Sequence, residues 1–168
     1  MIFSLTFFHF CKRPANENDT NVVVFQDDQQ DAPGCWSQVG KQGGPQKIQL
    51  SNVQCYTKER ITHEIYHSIG FYHEHTRPDR DQYVQVHDNC IRSGLKNNFK
   101  IQHKAETYGI PYDGRSIMHY TQTQGSNDEN CKVITSKVRL LVRLSTKHFM
   151  NFLFCSCREF LINNLDHR

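Results

Sequence analysis

The chain has 168 residues, of which 37% are hydrophobic, and a formal net charge of +3. This length suits one domain, and the small apolar fraction predicts that cross-links or a bound metal add to the stability of its core. The basic residues are scattered along the chain rather than gathered into a run, so the charge pattern favours neither a nucleic-acid partner nor a membrane surface.

Seven cysteines in a chain of this size are typical of a secreted, extracellular protein with disulfides. Their odd number leaves at least one thiol outside any pair within the chain. The apolar opening MIFSLTFFHF lacks a basic start and a small-residue cleavage site, so it is a poor signal peptide. No segment reaches the roughly 18 apolar residues of a membrane span, and we expect none.

Three runs near the start of the chain have the composition of β-strands. The run Val22–Val24 is β-branched, and the runs CWSQV and QKIQL flank GKQGGP, whose glycines suit a hairpin connection. The stretch DDQQDAPG, between the first run and the second, predicts a turn. The sequence therefore predicts a small sheet ahead of its histidine-rich segment.

Apolar residues spaced four apart predict a helix over Lys58–Ile69. Ile61, Ile65 and Ile69 fall on one face, and Gly70 stands where such a helix would end. Beyond this helix the chain is rich in turn residues, as in YGIPYDGRSIMHY and QGSNDEN. The second half is thus expected to consist mostly of loops.

The predicted helix carries a metal-ligand pattern. Residues four apart lie on one helical face with Cβ atoms about 5 to 6 Å apart, so His63 and His67 can direct imidazole nitrogens at one cation. Glu64 lies beside them, where a carboxylate can hydrogen-bond a metal-bound water and act as a general base. A break at Gly70 lets the chain turn back, so that His73 can supply a third nitrogen. Three such ligands with one open position are the catalytic arrangement of zinc.

Five further histidines have no partner at ligand spacing. A lone H-E-x-x-H arises often by chance, but adding the glycine and the third histidine reduces coincidence to the order of one in a million per start position. We interpret the five histidines without a partner at ligand spacing as surface or packing residues: His75, His87, His103, His119 and His148.

The stretch HEIYHSIGFYHEHTRPDRDQYV resembles the signature of the astacin family of zinc metalloendopeptidases, within the metzincins. The likeness includes Glu74, Arg77 and the acidic-basic-acidic run that follows, and it continues in the later segment SIMHY. It implies an α+β, zincin-like fold with a twisted N-terminal sheet, an active-site helix and a loop-rich C-terminal half ending in a helix. Residues 1–168 would form one partial catalytic domain, with the strong match over 34–120 and a divergent tail over 121–168.

The resemblance also implies roles for single residues. One zinc ion would be held by the three histidines, with Met118 beneath it as a hydrophobic floor. Tyr120 would be a further metal-site oxygen that can swing out to stabilise the transition state. Glu64 would take the proton from the attacking water and pass it to the leaving amine, and the substrates would be proteins or peptides.

For the cysteines, the resemblance implies a disulfide between Cys35 and Cys55. The family also bonds the cysteine that corresponds to Cys11 to a C-terminal cysteine, for which Cys155 or Cys157 could substitute. These two cysteines could equally be free thiols. Two cysteines have no partner that the family assigns: Cys90 and Cys131.

The resemblance further implies that the chain begins inside the catalytic domain, without the first strand, the propeptide and the mature N-terminus that the family buries against Glu74. We therefore expect Glu74 to be partly buried or bridged by water.

Two functions stay open. One is a secreted zinc endopeptidase, and the other is a truncated, catalytically impaired zinc-binding remnant that acts as a binding or decoy module. A purely structural zinc site is disfavoured, because such sites usually have four protein ligands, mostly cysteine. The sequence predicts no oligomeric state.

Overall fold

The computed structural model describes residues 20–27 and 34–138. Its first sheet has three strands in the order β1-β3-β2, namely β1 Val23–Gln26, β2 Cys35–Ser37 and β3 Gln46–Leu50. Strand β1 runs parallel to β3, and β2 pairs with β3 antiparallel, which confirms the predicted hairpin. The strand predicted at Val22–Val24 begins one residue later and extends to Gln26. The predicted turn DDQQDAPG lies mostly outside the described residues.

Helix α1 spans Lys58–Ser68, as the isoleucine spacing predicts. It follows a 3-10 turn at Val53–Tyr56 and begins where the Thr57 side chain accepts a hydrogen bond from the Arg60 N–H. It ends just before Gly70, whose φ of 110° is a conformation that glycine adopts without steric cost. Within the described segments, no helix is both long enough and apolar enough to cross a membrane.

The apolar side of α1 packs against the sheet at one end and against a loop at the other. Ile61 is buried with Ile48 of β3. Just past the last residue of α1, Ile69 packs against the buried side chains of Ile117 and Met118. Burying one such side chain contributes about 1.5–3 kcal/mol, so these contacts fix the helix between the two halves of the chain.

The second half is loop-rich, as expected, and holds a two-stranded antiparallel sheet of β4 Val84–Val86 and β5 Ile134–Ser136. Short 3-10 turns make up much of the rest: Glu74–Thr76, Arg80–Gln82, Asp88–Cys90 and Lys96–Phe99. A buried cluster forms its core: Val84, Cys90, Ile91, Phe99, Tyr112, Val133 and Ile134. The fold is α+β, and the C-terminal helix that the resemblance implies lies outside the described residues.

Two disulfides cross-link the described residues. The predicted Cys35–Cys55 bond is present and ties β2 to the turn that precedes α1. A second bond joins Cys90 to Cys131, the two cysteines to which the family resemblance assigns no partner, and it closes a loop of 41 residues within the second half. The remaining cysteines lie outside the described residues: Cys11, Cys155 and Cys157.

Replacing both Cys90 and Cys131 with alanine is expected to lower the free energy of unfolding by about 4 kcal/mol, because their bond spans 41 residues. The same change at Cys35 and Cys55, which are 20 residues apart, is expected to cost about 3 kcal/mol. Urea denaturation followed by far-UV circular dichroism measures both values against the oxidised wild-type chain. Variants that unfold at the wild-type urea midpoint would show that neither cross-link stabilises the fold.

Candidate metal centre

The structure brings together the three histidines that the sequence predicts as ligands. His63 and His67 project from α1, and His73 approaches them from the segment that follows the helix. The Nε2 atom of His73 lies 3.1 Å from Nε2 of His63 and 3.2 Å from Nε2 of His67. Three imidazole nitrogens therefore converge on one point at the floor of a cleft of about 930 Å³.

Backbone carbonyls orient two of these rings. His63 Nδ1 lies 2.9 Å from the carbonyl oxygen of Ile117, and His67 Nδ1 lies 2.8 Å from that of Phe71. A carbonyl oxygen can only accept, so each Nδ1 carries the proton and donates it. Each Nε2 then carries a lone pair that faces the other imidazoles, which is the tautomer a metal ligand needs.

The return of the chain after α1 depends on two glycines. The His67 carbonyl oxygen accepts hydrogen bonds from the N–H of Gly70 at 2.9 Å and from the N–H of Gly40 at 2.8 Å. Gly70 thereby ends the helix in a tight reversal, and Gly40 attaches the loop between β2 and β3 to the same atom. The reversal carries His73 back across the end of the helix, where a straight helix could not place it.

The three donors fit a zinc ion. Lone pairs about 3 Å apart repel one another unless a proton or a cation lies between them. Burial lowers the pKa of His67, and burial together with the neighbouring histidines lowers the pKa of His73, so both rings are held in the neutral form that binds metals. Imidazole nitrogens in a three-ligand set are a typical donor set for zinc with one position left open.

Glu64 lies next to this centre and lines the same cleft. Its side chain is buried, and its Oε2 atom has no hydrogen-bond partner within the described part of the chain. Burial raises the pKa of Glu64 to about 7, against the lowering effect of the Arg60 charge. A buried carboxylate oxygen without a partner is costly, and a water or a substrate group in the cleft would satisfy it.

Tyr120 lies close to the centre, and Met118 lies in the neighbouring apolar cluster. The Tyr120 ring centroid is 4.6 Å from that of His73, and the side chain lines the cleft, where burial raises its phenol pKa. Met118 is buried with Tyr66 and Ile117 in the cluster against which the end of α1 packs. The segment SIMHY thus contributes a backbone carbonyl, an apolar side chain and a phenol to the surroundings of the three histidines.

The sequence profile of Astacin, a peptidase family, matches residues 4–148. The chain belongs to the astacin family. The α+β fold and the three-histidine centre described above agree with this membership.

Two curated relatives of this astacin-family chain are named as metalloproteases. Zinc metalloproteinase nas-14 of Caenorhabditis elegans is 45% identical over 89 residues, which cover 52% of this chain and 18% of that protein. The astacin-like metalloendopeptidase of Gallus gallus is 39% identical over 117 residues, which cover 70% of this chain and 27% of that protein. The chain therefore spans less than a third of the length of these two curated relatives.

A solved structure resembles the fold as well. High choriolytic enzyme 1, a hatching-enzyme zinc-protease from Oryzias latipes (medaka fish), matches with a TM-score of 0.67 and 32% sequence identity. The match covers 73% of this chain and 58% of that one.

Glu74, the second glutamate of the astacin-like signature, has protein partners. Its Oε1 accepts from Arg77 Nη1 at 3.0 Å and from the Asp113 N–H at 2.9 Å. Burial raises the pKa of Glu74, although both hydrogen bonds act to lower it. Arg77 in turn donates two hydrogen bonds to the Asp79 carboxylate. Sequence reasoning missed these partners, although Arg77 lies three residues after Glu74, a spacing at which side chains meet on one side of a helical turn.

The histidines interpreted as packing or surface residues differ in their surroundings. His75 and His119 are buried beside the centre, His87 pairs with the Thr135 hydroxyl, and His103 is exposed. His148 lies outside the described residues. The sequence carried no signal for the contacts of His75, because its partners Asn98 and Tyr120 lie 23 and 45 residues further along the chain. His119 instead bonds residues close in sequence, Tyr112 and Tyr120.

One zinc ion per chain is expected, because the three imidazole nitrogens share one convergence point. His63→Ala is expected to weaken zinc binding by more than the roughly 10–100-fold that is typical for losing an outer partner of a ligand. His103→Ala, at an exposed position, is the matched control and should bind like the wild type. Competition with a chromogenic chelator measures the affinities, and equal affinities for the two variants would contradict the assignment.

Proposed function

We propose that this chain is a zinc-dependent endopeptidase that hydrolyses peptide bonds in proteins or peptides. The observation that carries the proposal is the buried, unpartnered carboxylate oxygen of Glu64 beside three convergent imidazole nitrogens in one cleft. Membership of the astacin family supports the same chemistry.

The ligands in this proposal are His63, His67 and His73. Zinc held by them would polarise the scissile carbonyl and lower the pKa of a water molecule to about 7. The backbone carbonyls of Ile117 and Phe71 keep two of the rings in the required tautomer and orientation. The buried Met118 against the end of α1 supports a place among the metzincins.

Glu64 is the general base and acid of the proposed reaction. It takes a proton from the attacking water at its free Oε2 atom and later delivers that proton to the nitrogen of the leaving amine. The burial of its carboxylate supports this role, because no protein donor within the described residues competes for Oε2. Oε2 of Glu64 thus holds the proton from the attack of the water on the carbonyl until the peptide C–N bond breaks.

Tyr120 is proposed to stabilise the oxyanion that forms on the scissile carbonyl. Its ring lies against His73 and its side chain lines the cleft, so the phenol O–H can donate to an oxygen that gains negative charge. One such donor is typically worth about 3 to 4 kcal/mol of barrier height.

Strand β2 is proposed to bind the substrate backbone. In the described sheet β2 lies at one edge, and its three residues line the cleft: Cys35, Trp36 and Ser37. An edge strand presents unpaired N–H and C=O groups that an extended peptide can pair with. An extended protein segment, rather than a folded surface, is therefore the form of substrate that the cleft suits.

We also propose that the protein is extracellular and that residues 1–168 contain a single astacin-type catalytic domain. The two disulfides support an oxidising compartment, and the family match over residues 4–148 supports one domain.

Glu64→Gln is expected to lower kcat for an unstructured protein substrate by about 10²–10⁴-fold, because the amide cannot accept and return the proton. Zinc content and unfolding midpoint should match those of the wild type, since glutamine keeps the size of the side chain. Glu59→Gln, on the neighbouring turn of α1 and also at the cleft, is the matched control and should retain activity.

Two results would contradict the proposal in different ways. Equal kcat values for Glu64→Gln and the wild type would remove Glu64 from the mechanism. A wild-type chain that binds zinc but cleaves no protein would favour the alternative, a zinc-binding or decoy module.

A further inference from the structure

The backbone of Tyr120 is bound by two buried histidines. His119 Nδ1 lies 2.6 Å from the Tyr120 carbonyl oxygen, and the Tyr120 N–H donates to Nδ1 of His75 at 3.4 Å. The carbonyl oxygen accepts, so the ring proton of His119 lies on Nδ1. His119 Nε2 therefore accepts a hydrogen bond from the Tyr112 hydroxyl at 2.6 Å. Both polar backbone groups of Tyr120 are therefore paired with imidazoles.

His75 also contacts the Tyr120 ring. The two ring centroids are 4.1 Å apart with an angle of 31° between the planes. The His75 ring lies 5.3 Å from the ring of His73, which in turn lies 4.6 Å from the ring of Tyr120. The three rings contact one another, so the orientation of Tyr120 relative to His73 depends on the ring that fills the space at position 75.

His75 itself has little freedom. It is fully buried, and its Nε2 lies 3.1 Å from the carbonyl oxygen of Asn98, so Nε2 carries the proton and Nδ1 is the acceptor for Tyr120. Arg80 Nη1 donates to the backbone carbonyls of His75 at 3.1 Å and of Phe99 at 2.6 Å. Side chain and backbone are thus both fixed from outside the metal centre.

We infer that His75 is a positioning residue that sets the orientation of the Tyr120 ring and hydroxyl in the cleft. This inference rests on the proposed function, in which Tyr120 donates to the oxyanion. An apolar residue of similar volume would fill the space but leave the Tyr120 N–H and the Asn98 carbonyl without their partner. His75 makes contacts through its ring face and through both nitrogens, whereas a side chain that only filled space would need the ring face alone.

A double-mutant cycle separates positioning from general stabilisation. His75→Leu is expected to lower kcat about 10- to 100-fold with KM within about twofold, because a hydroxyl misplaced by about 1 Å loses much of its effect. In a Tyr120→Phe background the same change should lower kcat less than about twofold. Zinc content should stay at the wild-type value, and His103→Leu, at an exposed histidine, should leave kcat unchanged.

His75→Asn is the second variant, in case leucine prevents folding. Asparagine places a side-chain oxygen near the position of Nδ1, so it can keep the bond to the Tyr120 N–H while losing the ring contact. It should retain more activity than His75→Leu. Equal kcat losses from His75→Leu in the wild-type and Tyr120→Phe backgrounds would overturn the positioning role.

A measurement on the zinc-free protein distinguishes failure of this inference from failure of the proposed function. The chain is labelled with 3-fluorotyrosine, and the Tyr120 fluorine resonance is assigned by its loss in Tyr120→Phe. Removing the stacked ring in His75→Leu should shift that resonance, whatever the activity of the enzyme. A resonance that stays in place would overturn the inference even if Glu64→Gln behaves as the proposed function requires.

Discussion

The chain reversal at Gly70 is the constraint on which the metal centre depends. A helix that continued past residue 69 would carry His73 away from His63 and His67, since residues six apart do not share a helical face. Gly70 ends the helix with a φ of 110°, and the His67 carbonyl oxygen holds the turn through two N–H groups. A side chain at this position would strain that backbone, so the ligand set depends on a glycine that touches no metal.

The polar groups around the centre come from segments far apart in the sequence. Ile117 orients the ring of His63 across 54 residues, while the His73 side of the centre rests on Tyr120 and the buried His75. The second half must therefore be folded for the imidazoles to keep this arrangement. One disulfide lies in each half of the chain, where it limits the conformational entropy of the unfolded chain.

Features set by local spacing could be predicted from the sequence. The helix followed from isoleucines four apart, the hairpin from its glycines, and the metal centre from histidines on one face and the break at Gly70. Non-local pairings could not be predicted in this way. Nothing near Cys90 marks Cys131 as its partner, and nothing in the spacing of His75 indicates that its ring contacts that of Tyr120, because folding alone brings these residues together. The same holds for Glu74, because one of its two partners is the N–H of Asp113, which lies 39 residues further along the chain.

The central claim is that three imidazoles hold one zinc ion and leave a position open beside Glu64. X-ray absorption spectroscopy at the zinc edge of the zinc-loaded chain tests it most directly. We expect four-coordinate zinc with three imidazole nitrogens at about 2.0–2.1 Å and one further oxygen ligand. A sulfur shell at about 2.3 Å, or a shell without imidazole scattering, would contradict the three-histidine centre.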